Sequence, residues 1–183
     1  MNKAQLRQRA KENRSLINKK FRSRDIAIDL TPFFPLDLVP KIIAGFAPIQ
    51  DEIDVWPLLR HLHASGYKIC LPLTPNRPAP LSFRQWEPGS RLAKDRYGIS
   101  YPATGEELCP DFILLPLLAF TSRGARLGYG GGYYDRTLQL LRSRGEIFAC
   151  GVAYAGQEID ALPVGDHDQH LDGVLTETGF RKF

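Results

Sequence analysis

A chain of 183 residues, 43% hydrophobic and 24% charged, has the size and composition of a single globular domain. No apolar run approaches the ~18 residues of a membrane-spanning helix, and the polar N-terminus, MNKAQLRQRAKENR, excludes a secretory leader, so a cytoplasmic protein with no membrane partner is expected. The formal charge of +4 is concentrated in residues 1–24, where nine Lys and Arg face one acid, Glu12; with only Phe21 interleaved for stacking, this reads as a solvated basic helix rather than a nucleic-acid arm, and it would equally attract a polyanionic small molecule.

In chain order, residues 3 to about 23 form the first predicted helix, with Leu6, Ala10, Ile17 and Phe21 as an imperfect apolar stripe and no internal Pro or Gly. Lys3 and Arg7, four apart, share a face. The segment from Asp25 to Val39 stays ambiguous because Pro32, Pro35 and Pro40 interrupt any long helix. IIAGFA, from Ile42 to Ala47, reads as a short buried strand, followed by QDEID, a helix through Trp56, Leu58, Leu59 and Leu62 ending near Gly66, and the strand KICLPL. Strand, helix, strand in this order implies a right-handed crossover and a parallel sheet, and it sets Glu52 just past a strand end, where ligands gather in open α/β sheets. A carboxylate there can equally serve as a cap. A proline-rich stretch then carries an embedded strand, LSFRQW.

The apolar run from Phe112 to Phe120, interrupted by Pro116, predicts one central strand buried on both faces. Five glycines follow in nine residues (Gly124, Gly128, Gly130, Gly131, Gly132), interleaved with Arg123, Arg126 and Tyr129, before a helix opens at Tyr133-Tyr134-Asp135. Strand, glycine-rich loop and helix can cradle a phosphate, because glycines let amide N–H groups converge and the helix N-terminus adds partial positive charge. The spacing is neither G-x-G-x-x-G nor a P-loop, so a flexible glycine-rich turn remains open on pattern alone. FACGVAY predicts a further strand, and LDGVLTETG a turn and last strand. Asp166, His167, Asp168, His170 and Asp172 form the densest cluster of oxygen and nitrogen side chains, and Asp135 is placed to supply one carboxylate to a nucleotide-borne Mg²⁺. Cys70, Cys109 and Cys150 are scattered, which argues against a zinc site or disulfide framework.

RLGYGGGYYDRTL, between a buried strand and a helix, closely resembles the signature of the 5-formyltetrahydrofolate cyclo-ligase (methenyltetrahydrofolate synthetase) family. The spaced residues Phe83, Trp86, Leu92, Tyr97, Gly98, Ile99 and Pro102 also resemble that family. The resemblance implies a single three-layer α/β/α domain over 1–183, with a mostly parallel Rossmann-like sheet similar to sugar-phosphate isomerases and CoA transferases, acting as a monomer. It implies ATP- and Mg²⁺-dependent cyclisation of 5-formyltetrahydrofolate to 5,10-methenyltetrahydrofolate through a phosphorylated formyl (iminium phosphate) intermediate, with release of ADP and phosphate.

Transferred position by position, the resemblance assigns ATP to Lys3, Arg7, Arg126, Leu127, Gly128, Tyr129, Gly130, Gly131, Gly132, Tyr133 and Tyr134. Folate falls to Phe46, Ala47 and Glu52 together with Tyr129, Gly130, Gly131, Gly132 and Tyr133, and Mg²⁺ to Asp135 and Asp168. Arg126 and Tyr133 stand as the catalytic pair, and no nucleic-acid partner is implied. The chain departs from the family pattern at Thr121, where an acid is usual, at Val55 and at Tyr101. The alternative is a divergent paralogue, either a folate- or nucleotide-binding protein or an ATP-dependent enzyme on another substrate.

Overall fold

The computed structural model describes residues 2–23, 28–35, 37 and 40–183; of the ambiguous segment from Asp25 to Val39, residues 25–27, 36, 38 and 39 lie outside them, and the described part holds a 3-10 turn at Thr31–Phe33. Helix α1, Lys3–Ser23, forms where the sequence offers strong helix formers and no breaker. Its start is fixed reciprocally: the Gln5 N–H donates to Asn2 Oδ1 and the Asn2 N–H donates to Gln5 Oε1, which satisfies two donors that the first turn leaves over.

The remaining chain runs β1 (Ile42–Ala44), α2 (Trp56–Ala64), β2 (Lys68–Leu73), β3 (Ser82–Trp86), β4 (Leu92–Lys94) and β5 (Ser100–Pro102). It continues with β6 (Phe112–Pro116), β7 (Ala119–Phe120), β8 (Arg126–Leu127), α3 (Tyr133–Arg142), β9 (Phe148–Val152), β10 (Gly173–Thr176) and β11 (Gly179–Lys182). Seven strands make one sheet in the order β11-β10-β9-β6-β1-β2-β3. The five inner strands are parallel and the two edge strands, β3 and β11, run antiparallel to their neighbours.

Successive strand residues point to opposite faces, and each face is covered by helix. Ile43, Ile69, Leu71, Phe112 and Leu114 meet Leu58, Leu59 and Leu62 of α2 with Ile17 and Phe21 of α1. Ala44, Cys70, Ile113, Leu115 and Ala149 meet Leu138 and Leu141 of α3. The result is the three-layer α/β/α arrangement with a mostly parallel sheet that the sequence predicts. Gly45 is required where the chain leaves β1, since a Cβ there would come within 2.6 Å of the Leu59 side chain.

From β1 the crossover through α2 steps to β2 on one side, whereas from β6 the crossover through α3 steps to β9 on the other. The C-terminal ends of β1 and β6 therefore adjoin at the point where the sheet reverses direction, which is where such sheets open a ligand crevice.

The single central strand expected from Phe112 to Phe120 is in fact two. Pro116 makes the last pairing with β9, at Val152, and the chain then departs into a separate β7–β8 hairpin. Gln157, 1% exposed, captures the carbonyls released at this corner: its amide donates to Leu117 O and Leu118 O at 3.0 Å each, while its Oε1 accepts the Tyr154 N–H at 2.8 Å. The β4–β5 hairpin and edge strand β11 were not anticipated, being short and partly exposed, without an apolar run to mark them.

Replacing Gln157 with Ala would strand three buried backbone groups. At ~1–3 kcal/mol for a buried orphan, with partial relaxation, chemical denaturation should register a loss of about 2–4 kcal/mol. A loss below about 0.5 kcal/mol, typical of a surface change, would contradict the assigned role of this corner.

Candidate active site

A cleft of about 500 Å³ opens over the adjoining ends of β1 and β6. Its walls are the first two turns of α1, the segment after β1, the loop from Arg126 into α3, and the turn carrying Asp168. Every residue singled out in the sequence for nucleotide, folate or metal lines this one cleft, although these residues come from four separate stretches of chain.

The glycine-rich loop lies under α1. Arg7 Nε donates to Gly128 O at 3.0 Å, and a Cβ on Gly130, whose φ is +100°, would sit 3.1 Å from the Arg7 guanidinium carbon. Among the described residues, no backbone acceptor engages the amide N–H groups of Gly130, Gly131 or Gly132. Gly132, with φ of 66°, starts α3 as its N-cap, and Asp135 sits in the first turn of that helix. Loop amides and a helix N-terminus thus converge on the same space, which is an anion cradle.

The charges around this cradle are paired. Arg126, whose side chain is 5% exposed, places Nη2 2.6 Å from Asp135 Oδ1. Burial pulls its guanidinium below the ordinary arginine value against the opposing pull of Asp135, and its buried Nε has no partner among the described residues. Lys3 Nζ lies 2.5 Å from Asp168 Oδ2, which also accepts the Gly165 N–H at 2.7 Å. Burial opposes ionisation of Asp168, but the Gly165 N–H, the Lys3 ammonium and Arg126 together hold its carboxyl below the usual carboxylate range. The Gln169 N–H donates to Asp135 Oδ1 at 3.0 Å, so the turn bearing Asp168 is fastened to the helix bearing Asp135.

Two carboxylates brought together in this way suit an Mg²⁺ that arrives with a nucleotide and completes its octahedron with phosphate oxygens and water. Among the described residues there is no group of three or more His, Cys, Asp and Glu that could hold an ion unaided. Two other members of the C-terminal polar cluster are engaged elsewhere: Asp172 pairs with Arg142 and accepts the Ala149 N–H, and His170 Nδ1 lies 3.2 Å from Arg123 O.

The other half of the cleft is largely apolar, with Phe46, Ala47, Ile49, Leu81 and Ile99 around Glu52. Glu52, with only 4% of its side chain exposed, accepts the Ile49 N–H at 2.9 Å and a hydrogen bond from the Tyr129 hydroxyl. Burial pushes its carboxyl above the ordinary value, against the hydrogen bonds from Tyr129 and Ile49 and the charge of Arg14. Burial and the nearby Glu52 push the Tyr129 hydroxyl up as well, and burial does the same to Tyr134.

Tyr133 closes the far side. Its hydroxyl lies 3.2 Å from that of Tyr97 and accepts from Arg96 at 2.7 Å; the Tyr97 contact, with Arg96 and Arg136, draws the half-buried phenol below its ordinary value. Tyr97 and Ile99 reach the cleft because Asp95 Oδ1 accepts the N–H groups of both, curling the β4–β5 turn over the site.

Arg96, Ile49, Thr74 and Arg14 are neighbours of the site that sequence reasoning did not select. For Arg14 a signal existed: at about 100° per residue it falls on the same face of α1 as Lys3 and Arg7. The three departures from the family pattern lie outside the cleft. Val55 is buried at the start of α2, Thr121 is buried in the β7–β8 turn, and Tyr101 belongs to β5.

The 5-formyltetrahydrofolate cyclo-ligase family model matches residues 2–177. The 5-formyltetrahydrofolate cyclo-ligase of Escherichia coli (strain K12) is 34% identical over 149 residues, covering 78% of this chain and 81% of that protein. The enzyme of the same name from Mycolicibacterium smegmatis is 29% identical over 186 residues, covering 95% and 93%. The NMR structure of Aquifex aeolicus 5,10-methenyltetrahydrofolate synthetase superposes with a TM-score of 0.72 at 29% identity, covering 100% of this chain and 93% of that one. The chain therefore belongs to the 5-formyltetrahydrofolate cyclo-ligase family, a family of ligase enzymes.

Proposed function

We propose that this chain closes 5-formyltetrahydrofolate to 5,10-methenyltetrahydrofolate at the expense of ATP. The observation that carries this reading is that one cleft joins an anion cradle to an apolar chamber containing a buried carboxylate, with Tyr129 and Tyr133 in its walls. ATP phosphates would lie on the amides of Gly130 to Gly132, beneath Lys3, Arg7 and Arg126, and the free Nε of Arg126 gives one more donor for a phosphoryl oxygen. The pterin would enter between Phe46 and Tyr129 with its donor edge on Glu52.

The chemistry that must be accelerated is displacement at an amide-like carbon whose oxygen leaves poorly. The formyl oxygen attacks the γ-phosphorus and ADP departs. N10 then attacks the formyl carbon, phosphate leaves with the former formyl oxygen, and N10 gives up its proton. Residues of the cleft contribute by alignment and by charge, which is how phosphoryl transfer is usually accelerated. Arg126 neutralises the phosphoryl oxygens, and Tyr133 holds the wall across which the two substrates meet. Mg²⁺ bound with the nucleotide would neutralise further phosphate charge, and Asp135 and Asp168 would hold it.

Within the cleft Lys3 and Arg126 are paired with Asp168 and Asp135. Nucleotide binding would exchange these partners, phosphates drawing the two cations while the metal takes the two carboxylates.

Lys3→Ala should weaken ATP binding by about tenfold, with a shallower dependence on salt, and should let the Asp168 carboxyl rise toward its ordinary value in an NMR titration; unchanged affinity together with an unmoved titration would remove Lys3 from the phosphate site. Because Asp168 is held low in the folded chain, its contribution to stability is present above the ordinary carboxylate range and fades on acidification, more so in the wild type than in Lys3→Ala. The activity itself is read from the absorbance of the methenyl product on mixing protein, 5-formyltetrahydrofolate, ATP and Mg²⁺. The wild type should produce it, and Arg126→Ala and Asp135→Ala should each lose about 100-fold or more of the rate. Folate binding without product in the wild type would instead favour a binding protein.

A further inference from the structure

Arg14 has no part in the phosphate site, yet it is among the most deeply buried charges in the described structure, with 2% of its side chain exposed. Its Nη1 donates to the Tyr129 hydroxyl at 2.6 Å and lies 3.6 Å from Glu52 Oε1, its guanidinium sits 5.6 Å from the centre of the Tyr129 ring, and its Nε has no partner among the described residues. The Tyr129 hydroxyl in turn donates to the same Glu52 oxygen. Arginine, tyrosine and glutamate therefore form one directed chain: the phenol accepts from Arg14 and so has its proton left for Glu52. The opposite carboxylate oxygen is held by the Ile49 N–H.

Such a buried pair is weak evidence for stability, because desolvation offsets most of the attraction and an apolar substitute is often as stable. Its effect on Glu52 is specific, however. Burial drives Glu52 toward the neutral acid, which would present a hydroxyl donor to an incoming ligand edge that is itself a donor. The groups that face Glu52 are Arg14 from α1, Tyr129 from the glycine-rich loop, the Ile49 N–H, and Tyr134 from α3 at longer range; Lys11 stacks on Tyr129 at 5.9 Å. Arg14 brings a full positive charge into hydrogen-bond contact with this unit.

Resting on the folate assignment made above, we propose that Arg14 is a positioning residue for the folate half of the site, locking Tyr129 and Glu52 into one hydrogen-bonded unit that offers the substrate an oriented carboxylate acceptor. Arg14 reaches the substrate only through these two side chains. It also ties α1 to the glycine-rich loop from the folate side, as Arg7 does from the nucleotide side through Gly128 O. One helix thus sets the geometry of both halves.

The test measures equilibrium binding of 5-formyltetrahydrofolate and of ATP, separately and across pH, for wild type, Arg14→Gln, Arg14→Lys and Glu52→Gln. Arg14→Gln should weaken folate binding by about tenfold or more and ATP binding by less than about threefold. Loss of folate affinity on acidification should begin at higher pH in Arg14→Gln than in the wild type, because Glu52 then lacks its positive neighbour, and Arg14→Lys should restore the wild-type pH dependence. Should Arg14→Gln fail to fold, Arg14→Lys placed in the Glu52→Gln background decides: it should add no further loss of folate binding. Equal losses for both ligands, an unmoved pH dependence, or an undiminished Arg14→Lys effect without Glu52 would each overturn the proposal and leave Arg14 a merely structural cation. Absence of folate binding by the wild type would instead sink the folate reading itself.

Discussion

Three carboxylates share one cleft in this protein, and each is tolerated there because a cation stands against it: Glu52 with Arg14, Asp135 with Arg126, and Asp168 with Lys3. Electrostatics in a partly dry crevice is unforgiving of unpaired charge. The pairing keeps the cleft intact, and under the proposed function Lys3 and Arg126 would turn to the phosphates while Asp168 and Asp135 take the metal. Two of the three cations belong to α1, and the third lies on β8 directly before the glycine-rich loop.

The fold makes this possible by a reversal of direction in the sheet. With β1 and β6 adjacent and their crossovers leaving to opposite sides, a crevice opens at the ends of those two strands. Phe46, Ala47 and Glu52 rise from one strand end, and the glycine-rich loop reaches the same place by way of the β7–β8 hairpin. Gln157 holds that hairpin's corner, and the Asn13 side chain of α1 donates to Gly156 O beside it at 2.9 Å, so the helix that supplies the cations is packed on the feature that aims the loop.

Much of this is legible in the sequence because it rests on local signals. The helix from Lys3, the strands at KICLPL and FACGV, and the loop that opens α3 are all marked by periodicity, apolar runs or glycine spacing. What escaped depends on tertiary contact. The break after Pro116 is invisible in an apolar run that continues on both sides of it, because the partner that ends the pairing, Gln157, lies forty residues away. Arg14 looks like one more solvated charge on a basic helix until the fold seals it against Tyr129. The same physical reason limits what the departures at Thr121, Val55 and Tyr101 can mean: none of the three lines the cleft, and the charge pairs in the cleft are complete without them.

The central claim is that one cleft receives nucleotide and folate together, on either side of Tyr129 and Tyr133. The most direct measurement is a crystal structure with a non-hydrolysable ATP analogue, Mg²⁺ and 5-formyltetrahydrofolate bound. The account predicts the γ-phosphate on the amides of Gly130 to Gly132, Asp135 and Asp168 turned from Arg126 and Lys3 toward the metal, and the formyl oxygen in line with the γ-phosphorus. A nucleotide bound away from the glycine-rich loop, or a pterin with no contact to Glu52, would contradict it.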